Sequence, residues 1–561
     1  MIAAPPTRYY HLDALRAFAM MLGLVLHALL AYSDTPIWPA QDLHQHQAYG
    51  IAQHAIHGFR MALFFLISGY FTTMLWRRRG LGPLINHRVK RILLPMVVAW
   101  LVFVPLTIVV SLLGGSAKKD LEDRHLSAVL EPSAGTSTIT IWVAARTGNT
   151  EVLRQHLERG LAPDLKDKDG LTALTWASLL GQQECAALLI RHGAYVNTRD
   201  GKGNTPLHAA ALLGRSQSAQ LLLAHGADVN AVSLEGNTPL DSAAAHWWLV
   251  QATADMAQFE VDQEEITTGR AELISLLASK GARTNAALLG IPPWAGGLYR
   301  LYQFGALIPL FLHLWFLYYL LWLVTGFVFV AWIAGKLHWR GPPAWLISSP
   351  ICWLWLIPLT ALPQFFMRQS FGPDTAMGIL PWPPKLLYYA IFFGFGALSF
   401  GRTAFEEKAG RWWPLCFLFS IPPLCLGLHL FLDRPDNIPH AQLLLSLSLT
   451  LYAWLMIYGS LGFFRRFFSS LSTRIRYLSD ASYWIYLAHL PLVLGLQIII
   501  MPWPLPSFLK FLAVCAVTYG ILLLLYRHFV RHTWIGTMLN GKKVTIPPLP
   551  QSADSATASD H

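Results

Sequence analysis

Leu12–Leu30 reads LDALRAFAMMLGLVLHALL, an apolar run interrupted by three ionisable side chains, Asp13, Arg16 and His27. Wound as an α-helix at about 1.5 Å per residue, it covers about 28 Å, close to the hydrocarbon thickness of a bilayer. Arg8 and Asp13 precede an apolar run that is too long for a signal peptide and lacks a small-residue cleavage site. The segment is therefore expected to persist as a first membrane span.

Similar runs recur along the chain at Ala55–Leu75, Ile92–Leu113, Ile308–Ala334, Pro343–Leu362, Lys385–Phe400, Trp412–Leu432, Leu443–Phe464, Ser482–Met501 and Phe508–Val530, which makes about ten spans. Composition agrees: 54% of residues are hydrophobic and 13% charged, whereas soluble proteins carry about 25% charged residues. The net charge of +11 does not point to nucleic acid, because the lysines and arginines concentrate in the short loops after spans two, four, six, eight and ten. Among the other short loops, Arg434 stands in one, and Arg368 and Lys385 bracket another. Basic loops mark the cytoplasmic side, so both termini are expected in the cytoplasm and the long loop after span three on the outer side. The lipid bilayer is the first partner implied.

That long loop is polar and periodic. Leu171–Gly203, Asn204–Gly236 and the stretch from Asn237 are spaced by 33 residues, with NTPLHAAA at Asn204–Ala211 and NTPLDSAA at Asn237–Ala244. This is the ankyrin period and signature. Ile141–Gly170 reads as a degenerate first repeat, and the fourth is interrupted between Trp247 and Gly269. The expected fold is all-α: a polytopic membrane helix bundle with an inserted α-helical ankyrin solenoid. The expected boundaries are a first membrane part over 1–115, a linker over 116–136, the ankyrin insertion over 137–284, a second membrane part over 285–541 and a disordered cytoplasmic tail over 542–561. Ankyrin arrays bind partners, so an unidentified protein partner is implied. His208 reads as a hydrogen-bonding turn residue of its repeat rather than a ligand. Cys185 is the single cysteine of the block, which excludes an internal disulfide there.

Ionisable residues at membrane depth line functional cavities by default. Arg16 and His27 are eleven residues apart, on roughly one helix face and about 16 Å apart in height. Asp13 is placed to pair with Arg16. Arg60 and Ser68 fall within the second span, His313 at the outer start of the fourth, and Ser482, Tyr486 and His489 in the inner part of the ninth. His44 and His46 alternate on a loop without a fixed ligand set, so no metal is expected.

Six stretches carry a resemblance: Leu12–Asp34, Ala62–Phe71 (ALFFLISGYF), Arg88–Pro95 (RVKRILLP), His313–Leu321 (HLWFLYYLL), Tyr388–Leu398 (YYAIFFGFGAL) and Leu478–Val493 (LSDASYWIYLAHLPLV). In this order they resemble the integral-membrane acyltransferase 3 family, and His532–Lys543 fits its subgroup of membrane succinyltransferases that modify periplasmic glucans. The resemblance implies a ten-helix enzyme of the bacterial inner membrane. It would carry an acyl group from cytoplasmic acyl-CoA, succinyl-CoA or acetyl-CoA, to a carbohydrate acceptor on the outer side, a periplasmic glucan or polysaccharide. The family's arginine and histidine of the first helix fall on Arg16 and His27; the ankyrin insertion departs from the pattern.

Acyl transfer to a hydroxyl needs a base, a group for the developing oxyanion and exclusion of water. His27 suits the base and Arg16, with Asp13 beside it, an anchoring or electrostatic role. His313 is a second base candidate. Arg88 and Arg91, one turn apart, suit the acyl-CoA phosphates. Arg60, Ser68, Ser482, Tyr486 and His489 complete the cavity. Two other readings compete: a transporter or flippase for a lipid-linked sugar, and a membrane-anchored ankyrin scaffold. The first expects repeated halves, which the sequence lacks outside the ankyrin units. The second leaves the charges in the spans without a purpose.

Overall fold

The computed structural model describes residues 9–541 apart from 34–37, 43, 130–139, 168–169, 201, 234–235, 258, 289, 293, 299–309, 340, 368–370, 374, 376–377, 403–404, 406–408, 433–439 and 471. The expected tail over 542–561, most of the expected loop around Arg434, Arg368 and part of the linker lie outside the described residues. The described elements are helical, apart from one isolated bridge between Lys166 and Thr172.

The first membrane part holds α1 (Tyr10–Leu29), α2 (Gln47–Arg79), α3 (Leu81–Arg88) and α4 (Leu94–Val129). His46 caps α2, its ring accepting from the Ala48 amide. Gly80 ends that helix at φ 83, a left-handed conformation in which glycine carries no Cβ penalty. A π turn at Val89–Leu93 joins α3 to α4. The helical stretch therefore starts at Leu81, earlier than the Ile92 expected from hydropathy.

The insertion stacks helix pairs: α5 (Ile141–Thr147) with α6 (Thr150–Glu158), α7 (Ala173–Leu180) with α8 (Gln183–Arg191), α9 (Pro206–Leu212) with α10 (Ser216–Ala224). In the last unit α12 (Trp247–Ala257) separates α11 (Pro239–Ala243) from α13 (Gln263–Ser279), and the short α14 (Asn285–Leu288) follows. Leu153, Leu174, Leu189, Leu207, Leu222 and Leu273 are each fully buried and form a continuous spine, as a solenoid that stacks neighbour on neighbour requires. His208 Nδ1 accepts from the Thr205 amide at 3.1 Å, and its Nε2 donates to the Asn237 carbonyl of the next repeat at 3.0 Å. Asp241 makes the equivalent cap one repeat later, accepting from the Thr238 amide at 3.0 Å.

The second membrane part runs through α15 (Trp315–Lys336), α16 (Ala344–Ser348), α17 (Cys352–Phe365), α18 (Pro383–Ser399), α19 (Trp413–Leu432), α20 (Ala441–Phe467), α21 (Thr473–Ile500), α22 (Ser507–Leu525) and α23 (Trp534–Asn540). Among the described residues eight helical stretches are long and apolar enough to cross a membrane. The other two expected spans are shorter. α17 has 14 residues and α18 has 17. At about 1.5 Å per residue they reach about 21 and 26 Å. Prolines mark where both begin: Pro350 falls at the break between α16 and α17, and Pro383 and Pro384 open α18, where a missing amide hydrogen does no harm.

Packing sorts the helices. α2 has 78% of its most apolar window buried, and α1, α20 and α21 each have 61%, against 22% for α4 and α22. The first four form the centre and the last two face outward; the ionisable groups sit mostly on the central set. α2 and α18 touch backbone to backbone, since a Cβ on Gly69 or Gly396 would run into the Phe393 or Leu66 carbonyl. α21 packs against both α1 and α4.

Candidate active site

Three histidines from different parts of the chain meet at the C-terminal end of α1. His27 Nδ1 lies 2.8 Å from His489 Nε2, with the rings stacked at 5.0 Å. His489 Nδ1 lies 2.8 Å from the Tyr486 carbonyl. A carbonyl only accepts, so Nδ1 of His489 carries its hydrogen, and in the neutral ring Nε2 is then the acceptor. His27 must donate from Nδ1, which leaves a lone pair on its Nε2. Among the described residues that nitrogen makes no hydrogen bond, and His27 is partly exposed. The arrangement delivers a histidine with a free basic nitrogen held by a second histidine.

His313 completes the group, its ring 5.3 Å from that of His489 and nearly perpendicular to it. It sits in a single 3-10 turn, Leu312–Leu314, where Leu312 takes φ 41. Such a left-handed leucine costs about 1–3 kcal/mol and is retained where the surroundings over-determine it. Here they do. The His313 carbonyl accepts the Tyr486 hydroxyl at 2.6 Å, and its Nε2 donates to the Leu487 carbonyl at 3.0 Å. His313 Nδ1 is buried without a hydrogen-bond partner among the described residues.

The α1–α2 loop covers this end. Trp38 stacks on His27 at 5.8 Å and 6°, and its Nε1 donates to Gln497 Oε1 at 2.9 Å. Gln497 Nε2 in turn donates to the His27 and Ala28 carbonyls. Asp42 of the loop pairs with Lys510 of α22 at 2.6 Å, each side chain only 2% exposed. Sequence reasoning missed Trp38, Gln497 and this pair. Lys510 inside the apolar run FLKFL was the available signal.

The other end of α1 holds the remaining candidates. Asp13 pairs with Arg16 at 3.3 Å, and the Arg16 guanidinium lies 5.8 Å from the Phe71 ring of α2. Arg88 is within electrostatic reach of Arg16, and its Nη2 donates to Thr72 Oγ1 at 2.7 Å. Thr72 Oγ1 donates onward to the Ser68 carbonyl. Arg91 does something else: its Nη1 donates to the carbonyls of Thr537 and Met538, capping α23. A pocket of about 120 Å³ opens beside the first turn of α1, lined among others by Tyr9, His11, Tyr70 and Arg465. Fifteen residues separate Leu12 of its wall from His27, about 22 Å along the helix.

The structure thus separates the candidates into two levels of one helix bundle. His27, His313, Tyr486 and His489 are together at the first level, with Arg60 in electrostatic reach of His27 and His489. Asp13, Arg16 and Arg88 are together at the second, with Ser68 linked through Thr72. Ser482 lies between α1 and α21, donating to the Ser479 carbonyl at 2.9 Å and contacting Met20 Sδ. His489, expected in the inner part of its span, reaches the His27 level because α21 begins at Thr473 and not at Ser482.

Comparison with known proteins bears on what this bundle is. A family described as an acyltransferase domain matches residues 9–118 and 280–527, most of the chain and both sides of the insertion. The chain belongs to this acyltransferase family. A family described as ankyrin repeats in three copies matches the insertion twice, over the overlapping residues 141–233 and 196–252. Similar curated proteins are the glucans biosynthesis proteins C of Escherichia coli and Salmonella paratyphi B, each 39% identical over 99 residues, 18% of this chain. The chain spans about a quarter of the length of these relatives, 26%. The acyltransferase family match stops on either side of the ankyrin array, so the histidines and arginines all belong to the acyltransferase part.

Proposed function

We propose that the protein is an O-acyltransferase of the bacterial inner membrane that moves an acyl group, succinyl or acetyl, from acyl-CoA to a hydroxyl of a periplasmic glucan or other extracytoplasmic carbohydrate. The observation that carries this reading is the free lone pair on His27 Nε2, presented in a partly exposed site by the Tyr486–His489–His27 hydrogen-bond chain. A neutral imidazole so held takes the proton of an attacking hydroxyl and returns it to the leaving thiolate. The similarity to glucans biosynthesis proteins C supports the acceptor class.

In this reading Arg16 and Arg88 form the cationic mouth for the phosphates of the donor, near the pocket at the start of α1. Arginine forks suit phosphate by geometry as well as charge. Arg91 contributes less, since Nη1 already serves the end of α23. With the basic loops inside, both termini are cytoplasmic and the ankyrin array is periplasmic, where it meets a protein partner.

Mass spectrometry of periplasmic glycans from cells with and without the gene tests the reading. A substituent present in the first and absent from the second identifies acyl group and acceptor together; identical glycans contradict it.

A further inference from the structure

Arg60 projects from α2 to α1 at Gly23, one helical turn before His27. A Cβ on Gly23 would overlap Arg60 Nη1, so the glycine is what lets the guanidinium lie against α1. Arg60 Nε is buried and makes no hydrogen bond among the described residues. Among the described residues, the groups in electrostatic reach of Arg60 are Tyr486, Tyr389, Tyr519, His27, His57 and His489, and no carboxylate is among them. A cation at membrane depth without a counter-charge is costly and marks a site that meets an anion. Arg16, which has Asp13, and Lys510, which has Asp42, are by contrast paired with a carboxylate.

The position identifies the anion. Side chains of a helix lean toward its N-terminus, so the His27 ring reaches over the turn that carries Gly23. A hydroxyl held at His27 Nε2 attacks a carbonyl beside it, and the oxygen that gains charge is two bonds from the attacking atom. A carboxylate at the far end of the acyl group would stand several bonds farther away.

We propose that Arg60 is a catalytic residue that holds the tetrahedral oxyanion of the acyl transfer, an assignment that rests on the acyltransferase reading of this site. The hydroxyl oxygen bonds to the thioester carbon while His27 Nε2 takes its proton, and the carbonyl π pair moves to the oxygen facing the guanidinium. On collapse the pair returns, the carbon–sulfur bond breaks and the thiolate takes the proton from His27. Arg60 stays protonated throughout. Gly23 is a positioning residue for it.

The test uses the purified full chain in lipid nanodiscs, with acetyl-CoA and succinyl-CoA as donors and a soluble glucan as acceptor, for wild type, Arg60→Met, Arg60→Lys and Gly23→Ala. Arg60→Met is expected to lower kcat about 10²–10³-fold with both donors, the effect of removing one oxyanion donor, with the KM of each donor little changed. Arg60→Lys restores part of the rate, and Gly23→Ala lowers kcat without altering thermal stability. If Arg60→Met does not insert, the other two variants decide. Wild-type kcat in them, or in Arg60→Met, overturns the assignment. So does a loss confined to succinyl-CoA, which would make Arg60 a reader of the acyl tail. A wild-type protein that transfers neither group contradicts the acyltransferase reading itself, a failure separate from that of Arg60.

Discussion

His489 Nε2 accepts from His27 Nδ1 at 2.8 Å, and this contact decides which nitrogen of His27 is left free. The carbonyl of Tyr486 fixes the first proton of the chain and the two rings transmit that choice.

Replacing His489 with leucine removes the acceptor and lets His27 turn or change tautomer. Acyl transfer is expected to fall about 10–100-fold, the scale of a lost orienting partner. His489→Gln, whose amide both accepts from His27 and donates to the Tyr486 carbonyl, should retain more activity. Steady-state rates and their pH profiles for both variants check this; equal losses would reduce His489 to packing.

The buried pair of Asp42 and Lys510 fastens the loop that carries Trp38 over His27. Lys510→Met strands a buried carboxylate, and such a break costs about 3–5 kcal/mol. Thermal unfolding should show a large drop for Lys510→Met and recovery when Asp42→Asn is added. A double variant no more stable than the single one would contradict the pairing.

His208 lies below the ordinary histidine pKa because burial disfavours its charged form, partly opposed by its hydrogen bond to the Asn237 carbonyl. The unfolded chain therefore binds this proton more readily than the folded one. Its share of stability is whole above about pH 6.5 and is lost as pH falls below that value. Hydrogen exchange of α9 and α10, corrected for intrinsic rates, should quicken between pH 7.5 and pH 5 in the wild type. The difference should shrink in His208→Gln.

Cys185 is buried, with its thiol pushed up to about 11, so it is a poor reporter of which side the array occupies. Ser275→Cys places a thiol on the exposed face of α13 instead. In a Cys425→Ser background an impermeant maleimide should label it on intact spheroplasts. Labelling only after detergent would put the array in the cytoplasm.

Much of the fold was legible because hydropathy and the 33-residue period are local signals. The span that came out short, α17, is one in which prolines interrupt an apolar run that hydropathy scores as continuous, whereas α18 keeps about the length of its apolar run. The site was legible in its residue types and less so in its depths. Ser472 accepts from the Ile475 amide and starts α21 nine residues before Ser482, and that cap, readable in advance, would have placed His489 beside His27. Asp42 and Lys510 are 468 residues apart, a pairing no local pattern reveals. The capping of α23 by Arg91 was hidden for the same reason.

The most direct measurement is acyl transfer by the full chain in proteoliposomes, with labelled acyl-CoA on one side and glucan on the other, for wild type and His27→Ala. The wild type should move label onto glucan, and the folded variant should do so about 10²–10⁴-fold more slowly, the contribution of a general base. Equal rates in the two proteins would contradict the role given to His27.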